Sequence, residues 1–398
     1  RTPLIYAAIC AECSDDGQEK KIMTRSHLNN TTPIAASLSA DRMMISRRGG
    51  MLAFVAASTM ALTMSLTSPA LAEPTASGFV YTADEYGNTV SRINLESGKV
   101  DIVPVRITPH NVQFVPGRNL LLAVGMPVPE KEKGAHASGG SHGNKGSGHG
   151  DDSHGGSAAT GQLIILDTDI SSGLKASIAV GGHPAHVIAD AEGARAYVSN
   201  SEDDTLSVID LQKGKAVATV PTGDYPHGLR MSPDGRSIYV ANVQDGTVTV
   251  IDTASLSEAA RIKVGSAPVQ VGFTPDGSRV YVSLRDENKV AVIDTATRQV
   301  SARIEVGRSP IQVHATPDSR FVYVANQGTE TEPDDTVSVI DTASGKVVKT
   351  IRTGKGAHGV TVSADGGFVF VTNIVDGTVS EISVESQSVI RTYRVGKG

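Results

Sequence analysis

The stretch RVYVSLRDENKVAVIDTATRQVSARIEVGRSPIQVHATPDS, residues 279–319, is restated along much of the chain. Tyr197, Tyr239, Tyr281 and Tyr323 lie 42 residues apart, each in a Tyr-Val-Ser or Tyr-Val-Ala setting. Within one unit, SRVYVS, KVAVID, VSARIEVG and PIQVHATPD are runs of strand length with alternating or β-branched apolar residues, separated by turn chemistry. A fixed period of this size marks a repeat architecture, and four strands in 42 residues make one blade of a β-propeller. A lone four-stranded sheet cannot bury both faces, so the units must stack around an axis and cover one another.

Second strands recur as GFVYTA (78–83), LLLAVG (120–125), RAYVSN (195–200), SIYVAN (237–242), RVYVSL (279–284), FVYVAN (321–326) and FVFVTN (368–373). The expected fold is therefore all-β, a seven-bladed propeller of four-stranded antiparallel blades. Third strands close on VID or its equivalents, at Asn94, Asp167, Asp210, Asp252, Asp294, Asp341 and Ser383. Their carboxylates stand where they can cap the following turn, which is a structural role. Inner strands begin near Pro109, Pro184, Pro226, Pro268, Pro310 and Ala357, leaving the first blade without one. The chain ends at VGKG, where a next inner strand would start, and about a dozen further residues would complete the ring.

The chain is not uniform. Residues 1–42 read as an upstream extension outside the native protein, and they hold Cys10 and Cys13, the only cysteines. Residues 43–72 read as an export signal, with Arg47-Arg48, an apolar run from Met51 to about Leu66, and a small-residue cleavage site at Ala70-Leu71-Ala72. Both the general secretory and the twin-arginine routes fit, and the expected location is periplasmic or secreted. The run is short for a membrane span, so none is expected in the mature form. The propeller then occupies 73–398 and is expected to be a monomer. Its 29 Lys+Arg (36 less 7 in residues 1–72) against 37 Asp+Glu (42 less 5) give a net charge of −8. An acidic chain argues against nonspecific nucleic-acid binding, which depends on neutralising phosphates.

Two units depart from the period. An acidic GTETEPDD, with Glu330, Glu332, Asp334 and Asp335, follows Gln327. A longer insertion, 127–160 in the second blade, is rich in Gly and Ser and carries His136, His142, His149 and His154. Such a tract cannot pack a core and is expected to be disordered. Both insertions join a second strand to a third, on the face where inner strands begin.

YVAN, YVSN and FVTN followed by DGTVTVID and a Pro-Asp-Gly turn resemble the YVTN family of β-propeller repeats. The resemblance covers about 78–398 and is strongest in the four regular blades. It implies the propeller fold and an exported location. It also implies a distant similarity to the propeller domains of nitrous oxide reductase and of cytochromes with d-type haem. The chain lacks Trp, and so lacks the tryptophan motif of quinone-dependent propellers and the Trp-Asp of WD40 repeats. A Cys-x-x-Cys-His motif for covalent haem is also missing.

Chemistry-bearing residues gather on the inner strands. Aligned on the proline position, the first or second following residue is His110, His186, His227, Gln270, Gln312 or His358. Projecting toward the axis, these form a ring of imidazoles and amides at one channel mouth. Adjacent strand positions point to opposite faces, which sets His186 against His110, His227 and His358. Further in, Gln113, Arg230 and His314 share one position and line the channel as a polar cluster. Neutral imidazole suits zinc or copper. The ring, with the His-rich tract, points to an exported binding or scaffold protein that binds or delivers Zn or Cu, which resembles the role of zinc-chaperone propellers. The alternatives are a metal-free platform for a periplasmic protein or envelope ligand, with repeat-copied imidazoles bonding neighbouring backbone, and, more remotely, an enzyme or haem-handling propeller. No nucleophile motif, P-loop or dinucleotide fingerprint is present. Lactonase-type propellers use metal-bound carboxylates in the channel, and Gln113, Arg230 and His314 are not carboxylates, so binding rather than catalysis is expected.

Overall fold

The structure, a computed structural model, describes residues 76–115, 117–129 and 160–398, and the backbone of Ile5–Ala7. The export signal, most of the upstream extension, and His136, His142, His149 and His154 lie outside the described residues. Among those described, 28 strands form seven four-stranded sheets. Helix is confined there to three single 3-10 turns, Glu85–Gly87, Ile170–Ser172 and Arg285–Glu287. No helix of the described residues is long and apolar enough to cross a membrane.

Each blade runs inner to outer in chain order. Blade 4 is typical, with Pro226–Met231, Ser237–Asn242, Thr247–Asp252 and Ser257–Lys263 joined as an antiparallel meander. Its second strand is a continuous buried run because both faces of the sheet meet a neighbour: Ile238, Tyr239, Val240 and Ala241 are all buried. The core is accordingly divided into seven clusters, one for each gap between blades. Tyr239, Val248 and Val250 of blade 4 pack on Val271, Val280 and Val282 of blade 5. Phe370 and Tyr393 of blade 7 pack on Val80 and Ile93 of blade 1, which closes the ring.

The recurring terminal Asn has a bonding reason. The Asn242 amide donates to Thr247 Oγ1 and Thr249 Oγ1, both at 2.9 Å, and Asn200, Asn326 and Asn373 repeat this pattern with their own hydroxyl pairs. Each ties the second strand to the third. Where the linker from the preceding blade passes, the Asn200 and Asn373 side-chain oxygens accept the N–H of Gly181 and Gly354. Third-strand aspartates cap turns as expected: Asp252 accepts from the Ala254 and Ser255 N–H groups, and Asp210 from Gln212 and Lys213.

Blade 1 departs from expectation. Its inner position is filled by Ile5–Ala7, paired parallel with Phe79–Asp84, where the other blades pair antiparallel. The sequence placed those three residues in an extension outside the propeller; an open inner edge offers unpaired backbone groups to any strand that can reach it. The end of the chain meets blade 1 like the other linkers: Gly396 sits against Asp84, its N–H donates to Ser91 Oγ at 3.2 Å, and Gly87 donates to Lys397 O.

Candidate functional site

The inner strands carry a shared irregularity that positions the ring. In blades 3 to 7 the pairing slips by one residue just after the strand start, so two residues oppose one on the second strand. Thus His227 and Gly228 oppose Ala241, and Val269 and Gln270 oppose Ser283. Blade 2 holds the same slip at His110. A bulge interrupts the alternation of side chains and re-aims them. It therefore removes the sequence objection that neighbouring positions must face opposite ways. His110, at the first position after proline, and His186, at the second, both reach the same cluster.

Hydroxyls fix these bulges to the next blade. Ser199 Oγ accepts the His186 N–H and donates to His227 O at 2.6 Å. Ser283 Oγ likewise accepts the Gln270 N–H and donates to Ile311 O. Residues ahead of the proline, His183, Tyr225, Ala267 and Ser309, hold left-handed φ values of 46°, 57°, 48° and 45°. Because four blades share that strain, it belongs to the scaffold and is no mark of a particular site.

His110, His186 and His227 each offer a ring nitrogen within 4.8 Å of the others, and all three are buried. His110 Nδ1 lies 3.2 Å from Glu85 Oε2, and His227 Nδ1 lies 3.2 Å from Val269 O. A carboxylate and a carbonyl only accept, so both Nδ1 atoms carry the proton. That leaves the two Nε2 atoms, 3.2 Å apart, to meet through a shared proton or through a cation that takes both lone pairs. Two nitrogens on one tetrahedral zinc at ~2.0–2.1 Å stand about 3.3 Å apart. The donor set and spacing therefore fit a transition-metal cation, with Glu85 as the carboxylate that orients a ligand imidazole. His186, whose ring nitrogens are both buried without partners, would be the third donor. Burial and neighbouring imidazoles push the His186 and His227 pKa values well below the ordinary histidine range, so both stay neutral and able to ligate.

His358, Gln270 and Gln312 stand outside this triad. His358 is fully buried with both ring nitrogens unpartnered, and burial lowers its pKa to about 3. Gln270 accepts the Val271 N–H through Oε1 while its Nε2 is unpartnered, and neither amide atom of Gln312 has a partner. Deeper in, Gln113 Nε2 donates to Phe114 O, and His314 Nδ1 donates to Val360 O at 3.4 Å with its pKa lowered to about 4 by burial. Carboxylates of the acidic insertion are engaged on the rim, Glu332 with Arg308 at 2.9 Å and Asp335 with Arg352 at 2.7 Å.

Sequence reasoning missed Glu85 and underused His183. Glu85 directly follows the last residue of its second strand, the place of Ser201 in blade 3, whose Oγ donates to Pro226 O in blade 4. Aligning the loops as well as the strands would have set Glu85 against the next inner strand. His183 is half-exposed above the triad, its ring 6.3 Å from His110 and also 6.3 Å from Tyr225, with Glu202 3.8 Å away. A separate cleft of about 590 Å³ lies at the other end of blades 3 and 4, where Asp190 and Asp234 face it. Those carboxylates already cap their own turns.

Fold and repeat together define a seven-bladed propeller with polar groups gathered at the start of its inner strands. Residues 177–398 match the family model for YNCE-like β-propellers, and the chain belongs to that family. Among solved structures it is similar to hydrazine synthase of Kuenenia stuttgartiensis, at 21% identity and a TM-score of 0.54, over 60% of this chain and 81% of that one. It is also similar to a functionally unknown protein from Desulfotomaculum acetoxidans, at 13% identity and a TM-score of 0.62, over 80% and 98%. At these identities the likeness concerns the fold alone. No curated protein matches.

Proposed function

We propose that this propeller is an exported binding module that holds a transition-metal cation, zinc or copper, at His110, His186 and His227. The observation that carries this reading is the 3.2 Å approach of two Nε2 atoms whose Nδ1 partners are committed to Glu85 and to Val269 O. Without a cation or a shared proton, two lone pairs face each other in a buried site. The scaffold supports rigid ligation, since the Ser199 hydroxyl joins the blade 3 bulge to the backbone carbonyl of His227. His136, His142, His149 and His154 supply a capture tract, and their loop springs from the same face as the triad. Four histidines on Gly- and Ser-rich spacers would bind only weakly by themselves, because fixing such a chain around an ion costs entropy that a preformed site does not bear.

The test is metal analysis and titration calorimetry on protein prepared without a His-tag. One equivalent of zinc or copper per chain is expected. Deleting residues 128–160 should slow uptake and leave that stoichiometry intact. Glu85→Gln should weaken binding ~10–100-fold, the usual scale for a carboxylate that orients a ligating imidazole. Failure of the full chain to bind either metal ends the metal reading and leaves a platform for a periplasmic protein or envelope ligand.

A further inference from the structure

Arg230 is the one charged side chain on the inner strands that the proposed metal site does not use. It lies in Pro226–Met231, three residues beyond His227. Its charge bears on His186 of blade 3 and on His314 of blade 6. Blades 4 and 6 are not neighbours, and Arg230 and His314 hold equivalent inner-strand positions, opposite Tyr239 and Tyr323 of their second strands, so the charge acts across the axis. The guanidinium is thus enclosed by the ring, yet the residue keeps some exposed surface, as a side chain lining a channel does.

A guanidinium in such a place ordinarily has a carboxylate beside it. Among the described residues, the bond from Nη1 to the adjacent Leu229 O, at 2.9 Å, is its sole hydrogen bond, and no carboxylate pairs with it. Burial lowers its pKa only to about 10, so it remains a cation at neutral pH. The layer above adds further unmatched donors: Gln270 Nε2 and Gln312 Nε2 are buried without partners. Gln270 also leans over Gly228, two residues from Arg230, where a Cβ would come within 2.3 Å of its Oε1. The channel therefore offers a planar fork of N–H donors and one full positive charge, with amide donors nearby and no acid among the described residues to neutralise them.

We propose that the axial channel binds a small oxyanion, with the Arg230 guanidinium as its principal contact. The chemistry recognised is that of a carboxylate, sulfate or phosphate group, which a guanidinium meets with two parallel N–H···O bonds. Such an anion satisfies the unpaired charge and separates Arg230 from any cation held at the His layer. The inference stands without the metal reading, because Arg230 lacks a counter-charge whether or not the histidines ligate.

The experiment titrates full-length protein with sulfate, phosphate or acetate in chloride buffer, once with EDTA and once with zinc. One oxyanion per chain is expected in EDTA, and its affinity should fall at least tenfold in Arg230→Gln. Preference among the three probes tells an inorganic oxyanion from the carboxylate of an organic ligand. Crystals soaked in selenate add a readout that needs no variant: anomalous density should lie against the guanidinium. Binding left unchanged by a folded Arg230→Gln, or selenate absent from the channel, overturns the proposal. Oxyanion binding in EDTA with no zinc bound in either buffer would sink the metal reading alone.

Discussion

Blades 4 and 5 share a period, a turn and a bulge, and differ at the positions that carry chemistry. Blade 4 opens with PHGLRM and blade 5 with PVQVGF, 42 residues later. Each slips its register at the same place, opposite Ala241 in one and Ser283 in the other. Blade 4 fills the bulge with His227 and the next channel position with Arg230; blade 5 has Gln270 and Gly272. The backbone is thus held constant by the repeat, while two side chains per blade are free to vary. Building the ring and equipping it are separable tasks, and the equipment is concentrated in blades 1 to 4.

The largest expected effect comes from giving blade 4 the bulge residue of blade 5. His227→Val removes one of two facing Nε2 atoms and should lower zinc or copper affinity more than 100-fold, about 3 kcal/mol. Gln270→Leu, the reciprocal loss in blade 5, should leave metal affinity unchanged. Calorimetry on the pair checks both. Equal effects would mean that the two blades contribute alike and would remove the distinction drawn between them.

A second test asks how closely the blades interlock. Gly228 is forced by its neighbour, since a Cβ there would meet Gln270 Oε1 at 2.3 Å and Val269 O at 2.5 Å. Gly228→Ala should therefore cost about 1–3 kcal/mol, the scale of overpacking in a tight interior. Chemical denaturation measures it, and combining it with Gln270→Ala should recover only part of the loss, because the Val269 carbonyl cannot withdraw.

How much of this was legible follows from what a repeat reveals. The 42-residue spacing of Tyr197, Tyr239, Tyr281 and Tyr323 was enough for the blade and its stacking, because those rings fill the gaps between blades, and the seven recurring second strands supplied the count. The polar positions themselves could be picked out too, as the first or second residue after each inner-strand start. Their convergence could not, since strict alternation separates His110 from His186 and only the bulge, a backbone register feature, brings them together. Glu85 was hidden for another reason. It acts across a blade boundary on His110, and residues compared only within their own unit show no such contact. The pairing of Ile5–Ala7 lies outside any repeat, so periodicity had no means of pointing to it.

The smallest expected effect concerns blade 1, where Asp84 takes the place of the structural asparagine. Thr82, Thr89 and Ser91 all donate to its carboxylate, at 2.6–2.8 Å, yet burial outweighs them and raises its pKa above the ordinary value. A carboxyl whose pKa is raised on folding binds its proton more tightly in the native state. Its contribution is therefore largest in acid, below the unfolded value of ~3.9, and is lost as pH climbs through the folded value. Asp84→Asn removes the titration and installs the amide that already works in blade 6, where Gly307 donates to Ser338 Oγ as Gly396 does to Ser91 Oγ in blade 1. The variant should gain roughly 1 kcal/mol over the parent at pH 7, the scale of one hydrogen-bond imbalance. That gain should shrink toward pH 4, and thermal melts at both pH values decide it. A gain that is independent of pH would show that Asp84 is not the group that titrates, and that blade 1 is joined to the ring differently from blades 3, 4, 6 and 7.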